Sequence, residues 1–323
     1  MKILFINPCL RKGANAKMLP VGLACVMTYV HKHGYTFDLL DVDADDLSDE
    51  EVETYIKENK YDVYLYGSIV THYKWIKWLT HAIKKHHPDS FVVVGNSVAG
   101  SCFEAFVENA TNEITVIGEG EVTALAVLDA VKNGMPFSEV EGIAYRDGGT
   151  AKKTQPRKAP KLDEFPMVDW TFFDVDKYLN SQSERNSFGA DNKTVTMSVV
   201  TARGCAFKCT FCHYVFWDDP YRFRKPDDVL AEIRRNIEEY GANYINFWDD
   251  LSFGSLPQLE RMVDKILESG LKFDWSAAVR TDLFGNHKHS YEKRLAVAKK
   301  MNETGCKAVG VYFEPGNKEK LEW

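Results

Sequence analysis

Twice along this chain of 323 residues, short apolar runs alternate with amphipathic stretches, and that alternation admits few folds. In the first block, apolar runs at 2–6, 35–42, 63–67, 91–95 and 114–118 read as strands. Between and after them, 21–33, a stretch beginning at Ser48, 73–86, 102–109 and 122–132 carry apolar residues at helical spacing. Ser48 followed three residues later by Glu51 is a capping-box signature, and Gly34 and Gly134 close two of the helices. Five strands alternating with five helices require a parallel sheet covered on both faces. The expectation is a doubly wound, Rossmann-like (flavodoxin-like) domain over residues 1–140, with its ligand at the carboxyl ends of the strands.

Residues 142–146 and 151–155, separated by Gly148 and Gly149, read as a hairpin. The polar stretch that follows, with Pro156, Pro160 and Pro166, reads as irregular to about Asn192, so 141–193 is taken as hairpin and linker. The second block spans 194–323, with strands expected at 195–201, 244–248, 273–279 and 308–313. Helices are expected between them, the first opened by Pro226 and closed by Gly241. Four such repeats predict part of a parallel β/α barrel, whose functional side chains project from the carboxyl ends of the strands. A cysteine-rich loop, Asp250, Arg280 and Glu314 all occupy that position.

Composition narrows the class. A net charge of −7 with no long basic run argues against a nucleic-acid surface. No apolar stretch has the length of a membrane span, and the opening run is too short for a signal-peptide core. A cytoplasmic setting is expected, where thiols stay reduced. Of the seven cysteines, Cys9, Cys25, Cys102 and Cys306 stand singly, as small buried hydrophobes usually do.

The other three lie in Arg203-Gly204-Cys205-Ala206-Phe207-Lys208-Cys209-Thr210-Phe211-Cys212, a CxxxCxxC spacing. Three thiols on one short loop can hold a metal centre and leave one position open. Zinc would ask for a fourth ligand, with His213 available, but zinc motifs usually come as two separated pairs and no second pair exists. Cys209 to His213 also matches the CxxCH of covalent haem, which is attached outside the cytoplasm. An iron–sulfur cluster suits thiolate ligands, three of them serving three irons. An unmetallated thiol group stays open as well.

The same run, following the first strand of its block, closely resembles the cluster motif of the radical S-adenosylmethionine (SAM) superfamily, with Phe211 as its aromatic. The resemblance implies a [4Fe–4S] cluster on Cys205, Cys209 and Cys212, with SAM on the open iron. It further implies reductive cleavage of SAM to a 5′-deoxyadenosyl radical that abstracts hydrogen from an unactivated carbon. Phe247–Phe253, Arg280-Thr281-Asp282 and Phe313-Glu314-Pro315-Gly316 resemble segments after the family's later strands. By that likeness Phe211, Asp250, Arg280 and Glu314 lie near SAM.

The front block is similar to the cobalamin-binding domain joined to many members of that superfamily. The matching pieces include Pro20-Val21-Gly22-Leu23-Ala24, the run from Asp62 through Gly67 to Ser68, Thr71, Val94-Gly95 and Gly118-Glu119-Gly120-Glu121. The likeness assigns Ser68, Thr71, Gly95, Gly118, Glu119 and Gly120 to cobalamin. The DxHxxG motif that supplies a cobalt ligand in other cobalamin proteins is missing, and so is the GxGxxG of nicotinamide sites. His72 and Lys74 follow the third strand, and the expectation for both is a solvated helix residue. Gly95-Asn96-Ser97 replaces the family's usual Gly-Gly-Pro. The family's barrel commonly has six strands, so a shortened barrel is expected, covered by a partner chain or by self-association. The resemblance implies methyl transfer to an unactivated carbon of a small-molecule substrate, driven by an external one-electron reductant of the flavodoxin or ferredoxin kind. Cyclisation or rearrangement on the same cofactors, and a non-catalytic cobalamin or cluster carrier, are the alternatives.

Overall fold

The computed structural model describes residues 1–14, 17–67, 69–110, 112–181, 194–207, 209, 212, 220–285 and 288–311. The chain divides into two compact units, one of residues 1–160 and 164–178, the other of 161–163 and 179–323.

In the first unit, β1 (Ile3–Asn7), α1 (Val21–Lys32), β2 (Asp38–Asp41), α2 (Asp49–Glu58), β3 (Val63–Gly67), α3 (Tyr73–His86) and β4 (Phe91–Gly95) follow in turn. Next come α4 (Asn96–Ser101), α5 (Phe103–Asn109), β5 (Ile114–Val116), α6 (Gly120–Asn133), β6 (Ile143–Asp147) and β7 (Thr150–Lys153). The sheet order is β2-β1-β3-β4-β5-β6-β7. The first five strands are parallel, in flavodoxin-like order, and β6 and β7 add antiparallel. The hairpin is therefore part of this sheet.

Successive residues of a strand face opposite sides, and here both sides are buried. Leu4, Ile6, Tyr64, Tyr66, Val92 and Val94 share a core with Val52, Ile56, Ile76, Leu79, Ile83 and Phe106 of α2, α3 and α5. Each of the wholly buried Ile76, Leu79 and Ile83 contributes roughly 1.5–3 kcal/mol of transfer free energy, which is why α3 holds its full length. The Ser48 capping box forms as expected, with reciprocal bonds to Glu51 of 3.2 and 2.8 Å.

The stretch expected to be irregular holds a helix, α7 (Val175–Ser181). Only Val175 and Tyr178 of it are buried, too few positions to print a periodicity. Its anchor is polar: the Tyr178 hydroxyl lies 2.8 and 2.7 Å from the Asp41 carboxylate oxygens, and Asn7 Nδ2 donates to both Asp41 and Tyr178 at 2.8 Å. These three buried residues close the carboxyl ends of β1 and β2. Burial raises the Asp41 pKa, opposed by the bonds from Tyr178, Ala44 and Asn7.

In the second unit, β8 (Thr196–Val199), β9 (Ala202–Arg203), β10 (Arg222–Phe223), α8 (Pro226–Tyr240), β11 (Tyr244–Phe247) and α9 (Leu256–Ser269) lead to β12 (Asp274–Ala278), α10 (Asp282–Gly285), α11 (Tyr291–Glu303) and β13 (Cys306–Gly310). β8, β11, β12 and β13 form a parallel sheet in sequence order, as successive right-handed βα units of a barrel do. Met197, Val199, Ile245, Phe247, Trp275 and Ala277 alternate onto one buried apolar face. The opposite face carries a row of small residues in register, Ser198, Asn246, Ser276 and Ala308, in which Ser276 Oγ donates to Asn246 Oδ1 at 3.0 Å. Among the described residues no helix is long and apolar enough to cross a membrane.

Candidate functional site

The cysteine loop begins just past the carboxyl end of β8, and its two ends are tied together. β9 and β10 pair antiparallel, Ala202 with Phe223 and Arg203 with Arg222, so the intervening chain returns to where it left. Gly204 has φ +79°, and a Cβ there would lie 2.6 Å from the Pro220 carbonyl oxygen. Only glycine fits both the left-handed backbone and that approach. Cys205 and Cys209 are half-buried, Cys212 is exposed, and none of the three is in a disulfide. The Cys212 N–H donates to the Cys209 carbonyl at 3.0 Å.

The root of the loop is fixed by residues the sequence did not single out. Asp249, next to the expected Asp250, accepts from the Thr201 N–H at 2.8 Å, the Ala202 N–H at 2.9 Å and the Thr201 hydroxyl at 2.6 Å. Desolvation outweighs those bonds and raises its pKa to about 6. Asp250 itself is exposed. Arg224 donates from its backbone N–H to the Thr201 carbonyl at 2.8 Å and from Nη1 to the Val200 carbonyl at 2.7 Å. Its Nη1 also meets Glu232 Oε2 at 2.7 Å, a carboxylate buried on α8. The Tyr221 hydroxyl donates to the Ser252 carbonyl at 3.1 Å and accepts from the Gly254 N–H at 3.0 Å. Burial raises the Tyr221 pKa.

Arg280, just past β12, reaches the loop. Nη1 lies 3.4 Å from Cys209 Sγ, and the guanidinium carbon is 3.6 Å from the centre of the Phe207 ring. Nε and Nη2 meet the two Asp282 oxygens at 3.0 and 3.4 Å. Of the expected SAM contacts, Arg280 thus converges on the cysteine loop, while Phe211 and Glu314 lie outside the described residues. Among the described residues no three His, Cys, Asp or Glu side chains gather round one ion's position. A cluster asks for less, since each thiolate takes a separate iron. Three cysteines outside any disulfide, with a guanidinium donor aimed at one of them, fit a polynuclear, thiolate-held centre.

The carboxyl edge of the first sheet is the second candidate site. Gly67 and Gly95 end β3 and β4 side by side, and a Cβ on Gly67 would lie 2.7 Å from the Gly95 carbonyl oxygen. Gly118 follows β5, Glu119 is the N-cap of α6 and Gly120 opens that helix. Gly120 has a packing reason of its own, because a Cβ would come within 2.9 Å of Val26 on α1. Thr71 is exposed in a single helical turn, Val70–His72, and Ser68 lies outside the described residues. His72 is not a freely solvated side chain: its ring stacks on Trp75 at 5.1 Å and 9°, and desolvation lowers its pKa. Lys74 is exposed, as expected.

The B12 binding domain family matches residues 10–128, which is this edge and the strands beneath it. Residues 10–128 of the first unit are thus similar to a B12-binding domain. The chain is 27% identical to an uncharacterized methyltransferase of Pyrococcus horikoshii, covering 100% of this chain and 67% of that protein. It is 25% identical to the cytidylyl-2-hydroxyethylphosphonate methyltransferase of Streptomyces wedmorensis, over 88% of this chain and 60% of the relative. Among solved structures, the cobalamin-dependent SAM radical enzyme OxsB, with aqua-cobalamin and SAM bound, superimposes with a TM-score of 0.82 at 18% identity. That match covers 99% of this chain and 45% of OxsB. The radical SAM methyltransferase TsrM of Kitasatospora setae, with cobalamin and a [4Fe–4S] cluster bound, gives 0.73 at 17% identity, over 99% of this chain and 60% of TsrM. The first unit and the parallel β/α unit that follows it in sequence thus have the fold of those enzymes, and the chain spans about half to two thirds of the proteins it matches.

Proposed function

We propose that this chain is a cobalamin-dependent radical SAM enzyme that transfers a methyl group to an unactivated carbon of a small molecule. The observation that carries the reading is the loop of three cysteines outside any disulfide, rooted at the carboxyl end of the first strand of a parallel sheet that follows, in sequence, a match to the B12 binding domain. Curated methyltransferases that match most of the chain support methyl transfer, and cyclases that match it to a similar extent keep cyclisation as the alternative.

In this reading Cys205, Cys209 and Cys212 hold a [4Fe–4S] cluster, which supplies the electron that cleaves SAM. Asp249 and the Arg224–Glu232 pair hold the backbone from which the first of these cysteines leaves. The row Ser198, Asn246 and Ser276 offers hydroxyl and amide groups to polar parts of SAM or substrate. Asp250, at the end of β11, is free to accept from an ammonium or from ribose hydroxyls. Phe211 and Glu314 complete the proposed SAM contacts. Gly67 and Gly95 let a flat, bulky ring lie close over the backbone at the first unit's edge, with Ser68, Thr71, Gly118, Glu119 and Gly120 around it. A reduced, cytoplasmic setting, an external flavodoxin- or ferredoxin-like donor and a partner chain or self-association complete the reading.

Anaerobic reconstitution tests it. About four irons and four sulfides per chain, stoichiometric cobalamin, and SAM-dependent 5′-deoxyadenosine after reduction are expected. Zinc uptake with no bound iron would sink the reading. Cluster and cobalamin without SAM cleavage would leave a carrier protein instead.

A further inference from the structure

Arg280 is placed by three partners at once. Its face lies on Phe207, its Nε and Nη2 meet the Asp282 carboxylate, and its Nη1 points at Cys209 Sγ. Asp282 follows two residues later, at the start of α10, so the pair is set by local geometry and does not depend on a ligand. Phe207 lies on the loop between Cys205 and Cys209, so the stacking fixes the loop and the guanidinium to each other.

That arrangement favours one of two uses of the arginine. A guanidinium that clamps a substrate carboxylate offers two parallel N–H groups from one edge. Here the Nε and Nη2 edge is already taken by a carboxylate of the protein. The donor left facing the loop points at sulfur. A thiolate ligand of a cluster gains negative charge when the cluster is reduced, and a hydrogen bond to that sulfur stabilises the reduced state more than the oxidised one.

We propose that Arg280 is a positioning residue for the cluster: held by Asp282 and Phe207, it donates to the Cys209 thiolate, raises the cluster's reduction potential and slows loss of iron. The proposal rests on the cluster assignment made above. It gives Arg280 to the cluster and leaves the SAM carboxylate to other donors.

The test uses the full chain, reconstituted anaerobically, as wild type, R280K and R280Q, without SAM or substrate. Midpoint potentials come from EPR-monitored titration with dithionite, and iron retention from competition with a chelator. R280Q is expected at a more negative potential than wild type, with iron retention about 10–100-fold weaker. R280K, which keeps the charge but loses the flat stacking face and the fixed fork, is expected between the two. Equal potentials and equal iron retention in all three, with SAM affinity lowered in R280Q, would overturn the proposal and return Arg280 to SAM. If R280Q fails to hold a cluster at all, R280K decides, and a wild-type potential there overturns the proposal. A wild-type chain that takes up no cluster would defeat the underlying reading itself, a result distinct from either outcome.

Discussion

Replacing Asp249 by Asn gives a prediction with a definite sign. The Asp249 carboxyl is raised from the usual 3.8 to about 6, so the folded chain holds this proton more tightly than the unfolded chain. Between about pH 4 and pH 6 the folded state therefore binds more protons, and stability falls as pH rises through that window. The shift of roughly two units corresponds to about 3 kcal/mol lost by pH 7. Asparagine has nearly the same shape and no charge. Its amide oxygen in the place of Oδ1 keeps both backbone donors, Thr201 and Ala202. Its amide nitrogen faces the Thr201 hydroxyl, which can rotate to accept. D249N should thus be the more stable protein near pH 7, by up to about 3 kcal/mol, with the gap closing toward pH 4. D249A strands three donors at the loop's root and should be destabilised, with its gap to wild type widening by about 3 kcal/mol from pH 7 to pH 4. Native-state hydrogen exchange of a peptide spanning residues 196–203 reads the local opening directly, since two of the donors are the exchanging amides. Parallel pH profiles for wild type and D249N, or unchanged protection in D249A, would refute the reasoning.

Four further outcomes follow from the same geometry. Burial raises the Cys9 and Cys306 thiols to about 11, leaving roughly 0.1% thiolate at pH 8, so iodoacetamide on the apo chain should label the exposed Cys102 and Cys212 first, read by peptide mass. G204A must hold alanine at φ +79° with its Cβ 2.6 Å from the Pro220 carbonyl oxygen, and should lose most iron uptake while the far-UV circular dichroism stays unchanged. G67A puts a methyl 2.7 Å from the Gly95 carbonyl oxygen, so β3 and β4 must part at their ends; cobalamin affinity, measured by absorbance titration, should fall at least tenfold. E232A leaves the half-buried Arg224 guanidinium without its carboxylate and should cost about 1–3 kcal/mol in denaturant unfolding of the second unit.

How much of this was legible in the sequence depends on what each feature rests on. β3, α3, β4 and α8 have the bounds that periodicity and caps assign them, because burial on both faces or a wide apolar stripe repeats over their whole length. α7 was not legible, since its anchor is an Asp41–Tyr178 contact between residues 137 apart in sequence. The adjacent carboxylates after β11 show another limit. Neighbouring residues point to opposite sides, so Asp249 turns into the loop's root and Asp250 out, and a shift of one position in the strand end exchanges them. The cysteines needed no such accuracy, because their spacing carries the chemistry. Phe207 carried no signal and Asp282 was read only as a neighbour of Arg280, for their meaning comes from where they hold Arg280.

The loop's root also says something about the order of folding and loading. A small zinc domain has little core, so its metal supplies the folding energy and the apo form is unfolded. Here the ends of the cysteine loop are joined by the β9–β10 ladder, by Asp249 across Thr201 and Ala202, and by Arg224 on the Val200 and Thr201 carbonyls. None of these contacts involves a cysteine. Loop closure, which each flexible loop must otherwise meet at binding, is already met by protein contacts alone. A metal centre entering such a loop does not have to bring its ends together, so more of its binding energy is available for affinity instead of folding. The apo chain should therefore be a folded protein with three reactive thiols at a prepared mouth.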